Sequence, residues 1–271
     1  MNRISVGIIG DGISAYRHAH AVNSDWRFFL SSLAPKNMQR GRELMRIHNI
    51  PHLDKDPEYL LERDDIDLVV LSIPTEVHSP YIEYAKRYDK AVIIESPVTL
   101  SLTEGEKVYD EVKTEGAFFF NGNPYLYSEE IGNIERDSCH MFSLMFPSVY
   151  LSPDEMLHIA LETLVRAFGC VVSVTPMKTE GSLSLTLERA SGTLTLLREP
   201  DSRGIYLVVD GRVILSGARY YRFLPDLYSY VFSRLEDGRS TDDTFFCTLE
   251  ALRGAELLPE RWAWKSVSFM E

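Results

Sequence analysis

Two short stretches carry residue types that could do chemistry. The first is Gly10-Asp-Gly12-Ile-Ser-Ala15, a GxGxxA run that follows an apolar segment and precedes a helical pattern. In that context the first glycine permits a tight turn, the second lets a diphosphate approach the backbone, and the small third residue lets helix pack on strand. A glycine-rich turn with no ligand has the same spelling, and Asp11 would set a carboxylate close to a diphosphate. The second is Val92-Ile-Ile-Glu95-Ser-Pro97, an apolar run ending in a carboxylate, a hydroxyl and a rigid imino acid just before a new helix. It is either a plain strand end or the floor of an active site.

In a dinucleotide fold an acid ending the second strand binds the adenosine ribose. Here that strand reads Phe28-Phe-Leu-Ser-Ser-Leu-Ala-Pro-Lys36 and offers none. Ser31, Ser32, Lys36 and Arg40 could receive a 2′-phosphate, which leans the cofactor toward NADP over NAD. Lys36 and Arg40 could equally be solvated helix charges.

The elements that would position these groups follow from periodicity. Short β-rich runs at 4–9, 27–33, 67–73, 91–95 and 117–121 alternate with helical patterns near 14–23, 38–48, 57–62, 80–88 and 102–115. That alternation is the mark of βαβ units on a parallel sheet. Ser101-x-x-Glu104 is a capping box that fixes a helix start six residues beyond Glu95. Turn-rich Asn121-Gly-Asn-Pro124 then marks a boundary, giving expected domains of 1–122 and 123–271.

Past it, a loosely patterned stretch leads to a second capping box, Ser152-Pro-Asp-Glu155, opening a helix expected to end at Phe168 before Gly169. Alternating runs at 182–188, 193–197, 205–209 and 213–216, the last two joined by Asp210-Gly211, predict a half-exposed antiparallel sheet. Helical patterns at 226–236 and 242–258 close the chain.

The 271 residues are 45% apolar, enough to fill a core. With 28 basic against 40 acidic residues the formal charge is -12, which disfavours nucleic acid and anionic membrane as partners. No run of about 18 apolar residues predicts a membrane span, and the N-terminal apolar run breaks at Gly10-Asp11-Gly12, too early for a secretory signal. Cys139, Cys170 and Cys247 lack CxxC spacing and read as buried reduced thiols, so the expected location is the cytoplasm. His48 and His52 have no partners at metal-ligand spacing, and no metal is expected. Tyr220-Tyr221 and Trp262-x-Trp264 read as interface or core aromatics.

Taken in order, Ile73-Pro74 with His78, Asp89-Lys90-x-Val92 with Glu95-Ser96-Pro97, and Asn121-Gly-Asn-Pro-Tyr125 resemble the Gfo/Idh/MocA family, whose members carry T-P-x-x-x-H and G-K-x-V-x-x-E-K-P segments at the first two places. The closing 226–258 region resembles that family's final helix pair. The resemblance implies an α/β architecture: an N-terminal Rossmann domain and a smaller C-terminal α/β domain with an open, mostly antiparallel sheet. It also implies an NAD(P)-dependent oxidoreductase acting on a small substrate in the inter-domain cleft, and a homo-oligomer, dimer or higher, formed through the C-terminal sheet.

By that likeness Gly10, Gly12, Ile13 and Ala15 would hold the diphosphate; Pro74, Thr75 and His78 would line the path from adenosine to nicotinamide; Glu95 and Pro97 would lie near the nicotinamide ribose. Family enzymes pair a lysine, between that Glu and Pro, with an Asp-x-x-x-His on the second domain's first helix to take the hydroxyl proton as hydride leaves. Asp154 and His158 have that spacing, which puts both on one helix face. Ser96 stands where the lysine would be, and an unaided serine does not exchange a proton at neutral pH. Two expectations follow: an atypical oxidoreductase using His158, Asp154 and Ser96, or a non-catalytic dinucleotide sensor on the same fold.

Overall fold

The computed structural model describes residues 3–114, 118–148, 151–179, 181–197, 204–218, 220–238 and 244–258. Trp262, Trp264 and the element ends expected at Glu115, Ala117 and Asp242 lie outside them, as does the side chain of Tyr220. The chain divides into two compact units: 1–99 with 106–124 and 224–245, and 100–105 with 125–223 and 246–271. The division is therefore not at a single boundary, because 224–245 returns to the first unit and 100–105 belongs to the second.

The first half of the chain runs β1 (Ile4–Ile9), α1 (Ile13–Ser24), β2 (Phe28–Ala34), α2 (Met38–His48), β3 (His52–Leu53), α3 (Pro57–Glu62), β4 (Leu68–Leu71), α4 (His78–Arg87), β5 (Ala91–Ile94), α5 (Leu102–Thr114) and β6 (Phe119–Asn121). The strands form one parallel sheet in the order β3-β2-β1-β4-β5-β6. Strands covered on both faces must be apolar at every position, and Leu-Val-Val-Leu of β4 and Ala-Val-Ile-Ile of β5 are buried throughout. Each Val, Leu or Ile side chain among them contributes about 1.5–3 kcal/mol on leaving water. In this order the chain reverses direction across the sheet between β1 and β4, and ligands of such sheets bind at the carboxyl ends of the strands flanking that point.

Most helices here begin with their free backbone donors satisfied by a side chain. Asn37 accepts from Gln39 N and Arg40 N to start α2, and Asp56 accepts from Glu58 N ahead of Pro57 to start α3. Glu104 N donates to Ser101 Oγ at 3.4 Å near the start of α5. Two helices lack such a cap and have no acid in their first turn: α4, which follows directly on the short turn Thr75–Val77, and α1, which opens on Gly12.

Beyond residue 124 come α6 (Glu129–Gly132), β7 (His140–Pro147), α7 (Pro153–Phe168), β8 (Val171–Pro176), β9 (Ser182–Leu187), β10 (Ala190–Leu197), β11 (Ile205–Val209), β12 (Arg212–Ala218), α8 (Leu224–Glu236) and α9 (Thr244–Glu256). The capping box of Ser152 and Glu155 forms, and Gly169 ends α7 at φ 85. Strand order is β12-β11-β7-β10-β9-β8. Asp210 and Gly211 both take positive φ, 49 and 76, as a two-residue hairpin turn requires.

The sheet departs from the antiparallel expectation at one place, since β7 pairs with β10 in parallel. The unrecognised β7 is the reason: its outward residues Met141, Ser143 and Met145 include two apolar side chains that blur the period-two pattern. One face of this sheet packs with α7 into a core that includes Phe142, Leu144, Leu161, Phe168, Leu194 and Leu207. On the other face Met141, Met145 and Val213 are exposed.

The cysteines are free but not uniformly buried: Cys139 is exposed, Cys170 intermediate and Cys247 buried. Burial, with Glu250 and Glu188 beside it, pushes the Cys170 thiol up to about 12. Among the described residues no helix is long and apolar enough to cross a membrane.

Candidate active site

The first βα turn is built as a close-approach turn. Gly10 has φ +132, and a Cβ there would sit 2.0 Å from the backbone oxygen of Ser72. Only glycine fits, so the end of β1 lies hard against the end of β4 at the point of reversal. At Gly12 a Cβ would meet nothing within 4 Å, and Ile13 beside it is 57% exposed. Ala15 is buried under the helix. Uncapped α1 donors behind an open Gly12 suit a diphosphate, because a helix N-terminus presents free N–H groups and a partial positive charge. The residues present thus fit a dinucleotide.

Asp11 does not face this opening. Its carboxylate accepts from Asn37 N through Oδ2, and Oδ1 lies 3.9 Å from an Arg40 guanidinium nitrogen. The side chain is therefore fixed at the β2–α2 turn. Lys36 is exposed there. Ser31 and Ser32 are buried within β2, and Ser32 donates its hydroxyl to Asp54, so neither is at the rim where a 2′-phosphate was expected to find them.

At the end of β5 the Glu95 carboxylate receives two side chains on one oxygen. Ser14 donates to Oε1, and His18 Nε2 lies 2.7 Å from the same atom. The other His18 nitrogen, Nδ1, lies 2.9 Å from Tyr228 Oη on α8. His18 is 0% and Tyr228 1% exposed, while the Glu95 side chain keeps 16% exposure. Burial, the largest influence, pushes the Glu95 carboxyl up, but the hydrogen bonds from His18 and Ser14, with the electrostatic pull of the His18 and His78 rings, outweigh it, leaving it below its usual value. Burial and the Glu95 charge hold the Tyr228 phenol well above its usual value, so it stays protonated. The chain is satisfied when Tyr228 O–H donates to Nδ1 and Nε2–H donates to Glu95.

Ser14, His18 and Tyr228 were not singled out in the sequence. His18 alone left a signal, since it falls with Ala15, Ala19 and Val22 on the buried stripe of α1, where a histidine must find polar partners. Tyr228 is 210 residues away and no local spacing points to it.

The flanking segments serve as braces. Thr75 Oγ1 donates to the Pro97 carbonyl at 3.1 Å, tying the turn that begins at Pro74 to the Ser96-Pro97 segment, whose peptide is cis. His78 is buried with Nδ1 2.9 Å from the Val98 carbonyl and Nε2 3.0 Å from the Ile73 carbonyl. Its ring is thus occupied by backbone. Ser96 is buried beside Glu95. A Cβ on Gly122 would meet the Ile94 carbonyl at 2.6 Å and Glu95 Cα at 2.7 Å, so the boundary segment presses on the same strand end.

In the second unit His158 is buried on α7 as the spacing implies, yet its Nδ1 bonds to the backbone carbonyl of Asp154 at 2.7 Å and not to the carboxylate. Asp154 sits in the first turn, where a negative charge complements the helix dipole. One turn beyond His158, Glu162 is buried at 1% exposure and accepts from Thr248 Oγ1 at 2.7 Å.

Comparison with known proteins agrees with this geometry. Residues 4–123 match the model of an oxidoreductase family with an NAD-binding Rossmann fold, GFO_IDH_MocA. The dTDP-3,4-didehydro-2,6-dideoxy-alpha-D-glucose 3-reductase of Actinomadura kijaniata is 27% identical over 127 residues, 46% of this chain and 38% of that protein. The scyllo-inositol 2-dehydrogenase (NAD(+)) of Bacillus subtilis (strain 168) is 29% identical over 116 residues, 42% of this chain and 34% of that one. The matched part thus spans little more than a third of these curated relatives. In fold, the chain is similar to biliverdin reductase of Synechocystis sp. PCC 6803, solved with biliverdin and NADP+, at a TM-score of 0.68 and 18% identity over 94% of this chain and 97% of that one. The sheet order and the glycine turn agree with the family match, by which residues 4–123 are similar to the Gfo/Idh/MocA oxidoreductases and their NAD-binding Rossmann fold.

Proposed function

We propose that this chain is an NAD(P)-dependent oxidoreductase that moves hydride between the nicotinamide and a small substrate, by a route that does without the family's lysine. The observation that carries it is the uncapped α1 turn, open at Gly12 and glycine-locked at Gly10, placed at the reversal point of the parallel sheet. When bound, the nicotinamide supplies the hydride donor or acceptor. Gly10, Gly12, Ile13 and Ala15 would hold the diphosphate, and Glu95, kept ionised by His18 and Ser14, would accept from a ribose hydroxyl. Pro74, Thr75, His78 and Pro97 would shape the loops around it, with Thr75 and His78 acting through the backbone they brace. His158 would handle the proton, through Nε2, because Nδ1 is spent on the Asp154 carbonyl. Ser96 would at most donate a hydrogen bond. The relatives' names, a sugar 3-reductase and an inositol dehydrogenase, support a polyol or ketosugar as substrate class.

The second reading is a dinucleotide sensor without turnover. Serine in the lysine's place and a His158 ring bonded to its own backbone favour it. NADH and NADPH fluorescence titration, followed by turnover assays on polyols, aldoses, imines and tetrapyrroles, separates the two. Turnover abolished by His158→Ala supports the enzyme; binding without turnover on any class supports the sensor; absence of both NADH and NADPH binding rejects both. For association, the exposed β7 and β12 residues Met141, Met145 and Val213 would form the face between two copies of the chain. Free thiols and an acidic surface fit a cytoplasmic protein.

A further inference from the structure

We propose that Asp11 is the cofactor-selecting residue, taking the place of the acid missing from the end of β2, and that the chain prefers NAD(H) over NADP(H). This rests on the dinucleotide reading above and deepens it. In sheets of this order the adenosine ribose lies against the end of the second strand, where a carboxylate accepts from its vicinal hydroxyls. Here β2 ends at Leu33-Ala34 and runs on into Pro35-Lys36 without an acid. The glycine turn reaches that same place: Gly10 N donates to the Ala34 carbonyl at 2.9 Å. The next residue, Asp11, then delivers its carboxylate to Asn37 N at the start of α2. Its side chain is 10% exposed, so the carboxylate is fixed in place and still reachable.

Of the groups that could welcome a 2′-phosphate, Lys36 stays exposed, while the two serines are withdrawn and Arg40, 69% exposed, lies beside Asp11. Ser32 is 0% exposed and gives its hydroxyl to Asp54, and Ser31 is buried at 3%. Arg40 already lies 3.9 Å from Asp11 Oδ1, so part of its field is cancelled by that carboxylate. A 2′-phosphate, carrying about two negative charges at neutral pH, would be placed beside a fixed carboxylate. A free 2′-hydroxyl would instead gain a charge-assisted acceptor.

Fluorescence titration of the whole chain with NADH and with NADPH in one buffer tests this. NADH is expected to bind about tenfold or more tightly than NADPH, the discrimination a hydrogen bond to a charged group supplies. Asp11→Asn and Asp11→Ser are expected to narrow that ratio by about fivefold or more while circular dichroism shows the fold intact. Competition by ADP-ribose and its 2′-phosphate should reproduce the preference, which places the selection at the ribose. NADPH binding as tightly as NADH to the unmodified chain overturns the proposal, whether or not the variants fold, and so does a ratio that both folded variants leave unchanged. Binding of neither nucleotide overturns the dinucleotide reading itself, and this proposal with it.

Discussion

His18 Nε2 lies 2.7 Å from Glu95 Oε1, so a buried histidine on the first helix holds the carboxylate that ends the fifth strand. Ser14 shares the same oxygen, and Tyr228 satisfies the far side of the ring. Removing one member leaves another buried and unpaired. His18→Ala is expected to cost about 3 kcal/mol, and Tyr228→Phe about 1–3 kcal/mol, in urea denaturation. A loss below about 0.5 kcal/mol for both would show that the network is not structurally coupled.

The direction of the Glu95 shift sets a pH signature. Its folded pKa is depressed below 4.5, so its contribution to stability is present above that value and lost as pH falls through the folded pKa. The gap in urea midpoint between wild type and Glu95→Gln is expected to be widest above about pH 5 and to close as the pH falls below about 4. A gap of constant size across that window would contradict the assignment.

An opposite sign is expected in the second sheet. His140 Nδ1 lies 2.6 Å from Asp210 Oδ2, and that bond, with the Glu135 carbonyl, raises the imidazole pKa above 6.5. A raised folded pKa contributes stability fully present below the unfolded value and lost as pH rises through the folded one. Asp210→Asn keeps a side chain tolerant of positive φ and removes the charge. It should therefore flatten the decline in stability between about pH 6 and pH 8, measured by thermal unfolding.

Gly10→Ala combines a positive φ with a Cβ 2.0 Å from a backbone oxygen. It is expected to destabilise by about 2–4 kcal/mol and to abolish nucleotide binding together. Gly12→Ala, where the added Cβ has open space, should leave stability within about 0.5 kcal/mol of wild type while weakening nucleotide binding. Equal stability losses at both positions would remove the distinction between a packing glycine and an approach glycine.

Ser96→Lys places an amine where the family resemblance puts a proton-transfer lysine. If chemistry was lost with that amine, polyol oxidation by the variant is expected to rise by about 10²-fold or more over wild type. No change in a folded variant would show that His158 and its surroundings, not Ser96, limit the reaction.

Much of the first unit was readable because its central strands are buried on both faces and α2, α3 and α5 start at side-chain caps. The runs at β1, α2 and α3 and the α7 capping box show in local spacing alone. β7 and β8 were obscured because Met141, Met145 and Val172 are apolar yet exposed, which erases the alternation. The site was half legible. Gly10, Gly12 and Glu95 announce themselves by type and place, whereas the Tyr228 partner of His18 comes from a helix that returns to the first unit across the chain. Asp11 was misjudged from sequence because its rotamer, fixed by Asn37, decides which part of a cofactor it would face.

The most direct test of the account is a crystal structure of the chain with NADH bound. The account places the diphosphate on the backbone N–H groups that open α1 at Gly12, the adenosine ribose against Asp11, and the nicotinamide ribose toward Glu95. Density for the nucleotide elsewhere on the chain, or a diphosphate held away from the α1 N-terminus, would contradict it.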